Sequence, residues 1–302
     1  MSGLPVRRGG TRVPRPRPPA RASAAHRAAE RIGATVVLVA ALVALAGLTT
    51  SGAFSLAPDG LELDGAHYTD VAAVRQALGL DGTGRVNLLT LPTASLVAAL
   101  RALPAVDPAR ADGTTLAVAL PDRLVVTLQE RQPIITWKVG NARFLVDVSG
   151  TVFARLAAAA PDPGLPVVDD QRSASAGLVV GDTLDPSDLA AARQLAALTP
   201  AFLDSTARSL ALTVTDEEGF TLDAAPGLWH AVFGVYTITL RPPTLVAAQA
   251  QCLASLLGAA MPGAPPERSL DVIRLAPTDA RCGTYTLRTA LPGPTATPSG
   301  KP

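Results

Sequence analysis

The sequence predicts an α+β fold that follows a single N-terminal transmembrane helix, and three observations support this prediction. First, residues 32–57 form an apolar run without a charged side chain. Second, residues 58–131 show strand, helix, helix, strand and strand patterns in that order. Third, short strand patterns dominate residues 132–289, and two helical segments interrupt them. We therefore expect a small two-layer α+β domain and a larger, mostly antiparallel β-domain with two helices.

The charge of the chain is concentrated near its N-terminus. Residues 1–31 hold eight arginines and one acidic residue, a net charge of +7, so the remainder must carry −6 for the chain to reach its total of +1. Proline and alanine are also abundant there, and a tract of this composition cannot bury enough surface to fold. We expect a basic disordered tail and no nucleic-acid partner; an arm that binds nucleic acid is the alternative.

The apolar run is long enough to cross a membrane. A hydrocarbon core needs roughly 20 apolar residues in a helix. Ile32–Leu48 is densely apolar, and the mild residues up to Ala57 complete the span. Because the arginines flank its N-terminal side, the positive-inside rule places the N-terminus in the cytoplasm and the rest of the chain outside. A cleaved signal peptide is the alternative, although its apolar region normally has about 7–15 residues.

The first domain is predicted over residues 58–131. Its helices are expected from Asp70 to Leu78, with Thr69 as the N-cap, and from Thr93 until Pro104 stops the second one. Its strands are expected at Leu61–Leu63, Thr114–Leu120 and Arg123–Glu130. A small sheet that two helices cover on one face accounts for this order.

The second domain is predicted over residues 132–289, before a disordered tail at residues 290–302. Its helices are expected at Pro186–Leu198, which Asp185 caps, and at Thr244–Leu257. Its strand candidates are the segments IITWKV, ARFLVDV, TVFARL, SLALTVT, FTLDA, LWHAVFG, YTITL, LDVIRLA and GTYTLR.

Glu130 and Asp147, with Arg131 beside them, are the candidate residues for an enzyme site. Hydrolysis by two carboxylates needs both to converge on one cleft with their pKa values pushed apart. Glu130-Arg131 ahead of Pro133 is typical of a solvated strand end, whereas Asp147-Val-Ser-Gly150 is typical of a hairpin turn. Neither a serine-nucleophile motif nor a phosphate-binding glycine loop occurs. We expect no catalytic residue, no cofactor and no small-molecule substrate.

The two cysteines, Cys252 and Cys282, both belong to the part predicted to lie outside, where disulfides form. A disulfide between them is favoured, and two buried free thiols are the alternative. The three histidines, His26, His67 and His230, show no ligand spacing with either cysteine, so no metal site is expected.

The last strand candidate, Cys282–Arg288, precedes the predicted tail and is therefore a plausible sheet edge. An edge strand can pair with a strand of another chain through main-chain hydrogen bonds. A blunted or internal edge is the alternative.

The order of these parts resembles the bacterial FtsQ family, called DivIB in Gram-positive bacteria. The stretches that carry the resemblance are LELDGAHYTDVAAVRQALGL, NLLTLPTASLVAALRALPAV, DRLVVTLQERQPIITWKVGNARFLVDVSGTVF, GLWHAVFG and RSLDVIRL. The resemblance as a whole covers roughly residues 32–288. The chain departs from the family pattern in LPAVDPARADGTTL, in the lack of a lysine after the VFG stretch, and across residues 155–185.

The resemblance implies a POTRA domain at residues 58–131, followed by the β-domain. It implies a non-enzymatic scaffold in the cell membrane at the division septum that binds single-pass division proteins of the FtsB and FtsL types. The contact strand would include Gly283, Thr284, Tyr285, Thr286 and Leu287, with help from the second helix of the β-domain. Tyr285 would be the anchor, because aromatic side chains dominate contact energetics.

Two other classes of protein remain as alternatives. A POTRA-containing protein of export or envelope biogenesis would be expected to carry tandem POTRA repeats or a following barrel. A membrane-tethered exported enzyme would need a convergent polar cluster. The sequence shows neither feature.

Overall fold

A computed structural model describes residues 24–50, 52–82, 85–239, 241–259, 263–276 and 282–288. The tail predicted at residues 290–302, and most of the tail predicted at residues 1–31, lie outside these ranges. Over the described ranges the chain has a mixed α+β fold with one N-terminal apolar helix and a body rich in sheet.

The apolar run lies in a long helix, α1, which spans Ala24–Thr50. Its 27 residues extend for about 40 Å at 1.5 Å per residue, more than the ~30 Å of a hydrocarbon core. The window Arg31–Leu48 has a mean hydropathy of 2.2 and all its side chains are exposed. This helix is consistent with a single membrane span. Residues 52–57 follow the helix; Ser55 forms an isolated antiparallel bridge with Asn87, and the N–H of Leu56 donates to the carbonyl of Val86.

A three-stranded sheet and two short helices follow. The elements are β1 (Leu61–Asp64), α2 (Val71–Ala77), α3 (Thr93–Arg101), β2 (Thr115–Ala119) and β3 (Arg123–Thr127). Strand β3 is central, with β1 parallel to it on one side and β2 antiparallel on the other.

Both helices cover the inner face of this sheet. Val74 of α2, Leu100 of α3, and Leu124 and Val126 of β3 are fully buried in one cluster. The alternation of Leu124 and Val126 follows the period-2 pattern of a strand with one face in a core.

The first cap differs from the prediction. Asp70, not Thr69, is the N-cap of α2, and its carboxylate accepts a hydrogen bond from the N–H of Ala72 at 3.2 Å. Thr69 is unavailable because its hydroxyl and its N–H both bind Glu130.

The second sheet has nine strands among the described residues. They are β4 (Pro133–Val139), β5 (Ala142–Asp147), β6 (Val152–Leu156), β7 (Val167–Asp170), β8 (Ser209–Thr215), β9 (Gly219–Ala225), β10 (His230–Gly234), β11 (Leu270–Leu275) and β12 (Gly283–Leu287). Their spatial order is β12-β11-β10-β9-β8-β7-β4-β5-β6. Antiparallel pairs predominate in the described sheet; β4–β7, β7–β8 and β10–β11 are parallel.

Two helices, α4 (Pro186–Ala196) and α5 (Leu245–Leu257), pack on this sheet and bury its core. Asp185 caps α4 by accepting from the N–H groups of Ser187 and Asp188, as predicted. The core combines sheet and helix residues, including Trp137, Phe233, Leu195 and Leu253.

The observed strands differ from the predicted ones at two places. The predicted strand YTITL is not a strand over its described residues 236–239; Tyr236 turns into the core, and the N–H of Thr237 donates to the carbonyl of Arg241. Strand β7, in contrast, arises in residues 155–185, where the sequence pattern indicated no strand.

Candidate partner-binding edge and the junction between the two sheets

Strand β12 lies at one edge of the nine-stranded sheet. It pairs with β11 on one side, and none of the residues that the structure describes pairs with its other side. The five residues singled out in the sequence, Gly283, Thr284, Tyr285, Thr286 and Leu287, are this strand, and all are exposed.

The hydrogen bonds to β11 determine which main-chain groups of β12 face outwards. The carbonyl of Cys282 accepts from the N–H of Ala276, and the N–H of Arg288 donates to the carbonyl of Ser269. Because main-chain direction alternates along an antiparallel strand, the even-numbered residues face β11. The N–H and C=O groups of Gly283, Tyr285 and Leu287 therefore point away from the sheet.

The opposite edge of the sheet, strand β6, is partly covered. There the N–H of Val152 in β6 donates to the carbonyl of Asp182, and the carbonyl of Val152 accepts from the N–H of Gly181. The chain thus covers part of its β6 edge with its own backbone, which is a common way to prevent unwanted pairing.

Tyr285 lies over a small apolar cavity. It is opposite Ile273 in the ladder, and a cavity of about 50 Å³ lies between these residues, Leu256 and Leu275. Tyr285 remains 42% exposed and Leu287 53% exposed, so this edge presents an aromatic and an aliphatic side chain to solvent.

Helix α5 supports the edge in two ways. Cys252 of α5 forms a disulfide with Cys282, immediately before β12, which confirms the predicted pairing. Buried Gln249 of α5 donates to the carbonyls of Phe233 at 3.2 Å and Ala276 at 2.8 Å. Sequence reasoning missed Gln249; its only signal was a polar residue on an apolar helix face.

Glu130, the first candidate carboxylate, forms the junction between the two sheets. Its carboxylate accepts from the N–H groups of His67 at 2.7 Å, Tyr68 at 3.0 Å and Thr69 at 2.8 Å, and from the Thr69 hydroxyl. It is only 9% exposed, so the prediction of a solvated strand end is wrong. These hydrogen bonds replace the ones to water that a buried carboxylate loses.

Arg131 and Asp147 form the second half of the junction. Arg131 makes an ion pair with Asp147 and donates from Nε to the carbonyl of Pro104 at 2.9 Å. Burial by itself would raise the pKa of Asp147, but hydrogen bonds from Ser149, Arg131 and Thr151 outweigh it and lower that pKa. Gly150, at φ +87°, closes the predicted turn after Asp147.

The two carboxylates do not converge on a cleft. Glu130 faces the loop at residues 67–69, while Asp147 faces Arg131 and its own turn. The ring of Tyr68 also packs edge-on against Phe153 of β6, with centroids 5.7 Å apart. These contacts connect the first sheet to the second and have the character of a structural joint.

A further polar cluster surrounds His230 on β10. Its Nδ1 lies 2.7 Å from Asp223 and its Nε2 lies 2.9 Å from Glu218, which also binds Arg274 at 3.1 Å. Burial lowers the pKa of His230, but the hydrogen bonds and charges of Asp223 and Glu218 outweigh it, so the pKa is raised. Within the described ranges, no group of three or more His, Cys, Asp or Glu side chains is arranged to hold a metal ion.

Comparison with known proteins finds relatives that match part of this chain. A scan against models of protein families finds no match. Among curated proteins, the cell division protein FtsQ of Chloroflexus aggregans is 39% identical over 100 residues, which are 33% of this chain and 34% of that protein. The cell division protein FtsQ of Chloroflexus aurantiacus is 31% identical over 170 residues, which are 56% of this chain and 58% of that protein.

The matched stretches span about a third and somewhat more than half of the length of these two relatives. Over these stretches, the chain is similar to curated proteins named cell division protein FtsQ.

Proposed function

We propose that the chain is a non-enzymatic scaffold of the bacterial division machinery. Helix α1 anchors it in the cell membrane, the arginine-rich N-terminus lies in the cytoplasm, and the two sheets lie outside at the septum. The relatives named as cell division proteins and the apolar length of α1 support this proposal. The arginines on the N-terminal side of the helix support the orientation.

The two sheets correspond in this proposal to a POTRA domain at residues 58–131 and a β-domain at residues 132–289. The strand–helix–helix–strand–strand order of the first sheet and its helices supports the first assignment. The separate core of the second sheet supports the second.

The partner is an extended segment of a single-pass division protein of the FtsB or FtsL type. The observation that carries this proposal is strand β12, whose outer main-chain groups face away from the sheet and whose Tyr285 and Leu287 are exposed. Such an edge can accept one further strand through main-chain hydrogen bonds, and its side chains supply selectivity.

The polar clusters support a role without catalysis. Glu130 and Asp147 are each occupied by main-chain and side-chain donors. Both ring nitrogens of His230 are occupied by carboxylates. A general base needs hydrogen-bond access to the proton it removes, and these groups face their structural partners instead.

Replacing the exposed aromatic tests the proposed site. We expect Tyr285→Ala to weaken co-purification of a co-expressed FtsB-type protein by roughly tenfold or more, because aromatic residues supply much of the energy of an interface. Phe202→Ala is the matched control, since Phe202 is also exposed, at 55%, and lies outside β12. Equal recovery of the partner with wild-type protein and Tyr285→Ala would reject the site.

A further inference from the structure

Strand β12 differs from the other described strands in that every one of its residues is exposed. All five of its residues are exposed, and its ladder with β11 is irregular between the pairs Leu270–Leu287 and Ile273–Tyr285. At that irregularity the Thr286 hydroxyl, 3.2 Å from the N–H of Val272, replaces a regular main-chain bond. Hydrophobic burial therefore contributes little to holding this strand on the sheet.

Hydrogen bonds at one end of β12 and a disulfide at the other hold it on the sheet instead. At the C-terminal end, Arg288 donates to the carbonyls of Leu270 at 3.1 Å and Leu228 at 2.7 Å. At the N-terminal end, the disulfide joins Cys282 to Cys252 of α5. Helix α5 is firmly packed, because its Leu253 is fully buried in the core of the second sheet.

The N-terminal end of β12 also lies in close contact with β11. Gly283 has φ +125°, and a Cβ there would lie 2.1 Å from the carbonyl oxygen of Arg274. The disulfide bonds the residue directly before this contact, with a Cα–Cα distance of 5.2 Å, so it holds Gly283 against β11. Both cysteines are half-buried, which leaves the bond within reach of solvent and of another thiol.

We propose that the Cys252–Cys282 disulfide is a redox-controlled clamp, and that β12 binds its partner strand well only while this bond is oxidised. This inference rests on the proposed function of β12. An edge strand that is held in its binding conformation does not lose further conformational freedom when a partner pairs with it, and this preorganisation raises affinity. With the bond reduced, β12 is free to separate from β11 starting at Gly283, while Arg288 still holds the other end.

The chemistry requires an external dithiol, such as the active site of an exported thiol–disulfide oxidoreductase. One thiolate of the dithiol attacks one sulfur of the pair and releases the other as a thiolate, forming a mixed disulfide. The second thiol of the dithiol then displaces the remaining cysteine. Two electrons and two protons pass to Cys252 and Cys282, and the dithiol becomes a disulfide.

Hydrogen–deuterium exchange tests the clamp in the absence of a partner. The full-length chain in detergent micelles is compared in its oxidised form, after reduction with dithiothreitol, and as the double variant Cys252→Ser/Cys282→Ser. We expect exchange at the N–H groups of β12 and Arg288 that face β11, those of Thr284, Thr286 and Arg288, to rise roughly tenfold or more after reduction and in the variant. Exchange at β4 and β5 serves as the internal control and should not change. Unchanged exchange at Thr284, Thr286 and Arg288 would overturn the clamp.

Affinity for a co-expressed FtsB-type protein tests the consequence. We expect reduction to weaken binding by roughly tenfold, and the double serine variant to bind weakly whether or not dithiothreitol is present. Equal binding in both redox states, with Tyr285→Ala still weakening it, would overturn the redox inference and leave the proposed site standing. Absence of binding in both redox states would overturn the proposed partner, and with it the inference that the disulfide controls partner binding. The exchange data would still decide whether the disulfide holds β12.

Discussion

Glu130 directs both oxygens of its carboxylate to one loop of the first sheet. Three successive main-chain N–H groups and one hydroxyl donate to it, so removing its charge should weaken all of these bonds together. We expect Glu130→Gln to lower the free energy of unfolding by about 1–3 kcal/mol, because the amide group brings a donor towards other donors. Urea unfolding of the chain in detergent measures this.

The matched control is Glu62→Gln. Glu62 is also a carboxylate of the first sheet, but it is half exposed, and its ion-pair partner Arg123 is exposed as well. We expect a change within about 0.5 kcal/mol for this variant. Similar losses in both variants would contradict the role of Glu130 in the junction.

His230 should make stability depend on pH. Its pKa is raised above the ordinary value of 6.5, so the folded state holds the proton more tightly than the unfolded state. The stabilisation is complete below about pH 6.5 and is lost as the pH rises through the raised pKa.

We expect the thermal midpoint of the wild type to exceed that of His230→Gln by on the order of 2–4 °C at pH 6, with a difference that shrinks towards pH 9. Thermal melts across this range measure the effect. A difference that grows with pH would contradict the assignment of a charged His230 between Glu218 and Asp223.

The roles of single residues were the hardest part to predict from sequence. Glu130 was interpreted as a solvated strand end because its neighbours in sequence are Arg131 and, two residues further, a proline. Its true partners lie 61 to 63 residues earlier in the chain, and no local pattern reveals a contact at that distance. Paired cysteines could be predicted, since two cysteines outside the membrane leave a single pairing to consider.

At the scale of elements, β12 allows main-chain pairing to be separated from side-chain contact. Leu287 points its N–H away from β11, so Leu287→Pro removes a donor that only an added strand would use. Leu287→Ala removes the side chain and keeps that N–H. We expect the proline variant to weaken partner binding several-fold more than the alanine variant in a pull-down. We expect the two variants to have the same thermal midpoint. Equal binding by the two variants would contradict strand addition.

Helices were predicted more accurately than strands. Asp185 and the apolar spacing of α4 and α5 placed both helices within a few residues of their observed bounds, because caps and periodicity are local properties. Strand β7 was missed because it is only four residues long and is held by parallel neighbours on both sides. YTITL alternates like a strand, yet Tyr236 binds buried Gln249 and the backbone turns at Thr237.

At the scale of the whole molecule, one long apolar helix precedes two sheets that are joined by Glu130, Arg131 and the Tyr68–Phe153 contact. The coarse architecture could be predicted because composition changes sharply at the boundaries of the apolar run. The spatial order of the nine strands could not, since parallel crossovers such as β4–β7 bring together segments far apart in sequence.

Depletion of the protein in its own organism, followed by microscopy, tests the proposed division role most directly. We expect depleted cells to elongate without completing septa, a fluorescent fusion of the wild-type chain to gather at midcell, and that fusion to restore normal cell length. Normal septation after depletion, together with a fusion that is spread evenly around the membrane, would contradict the account.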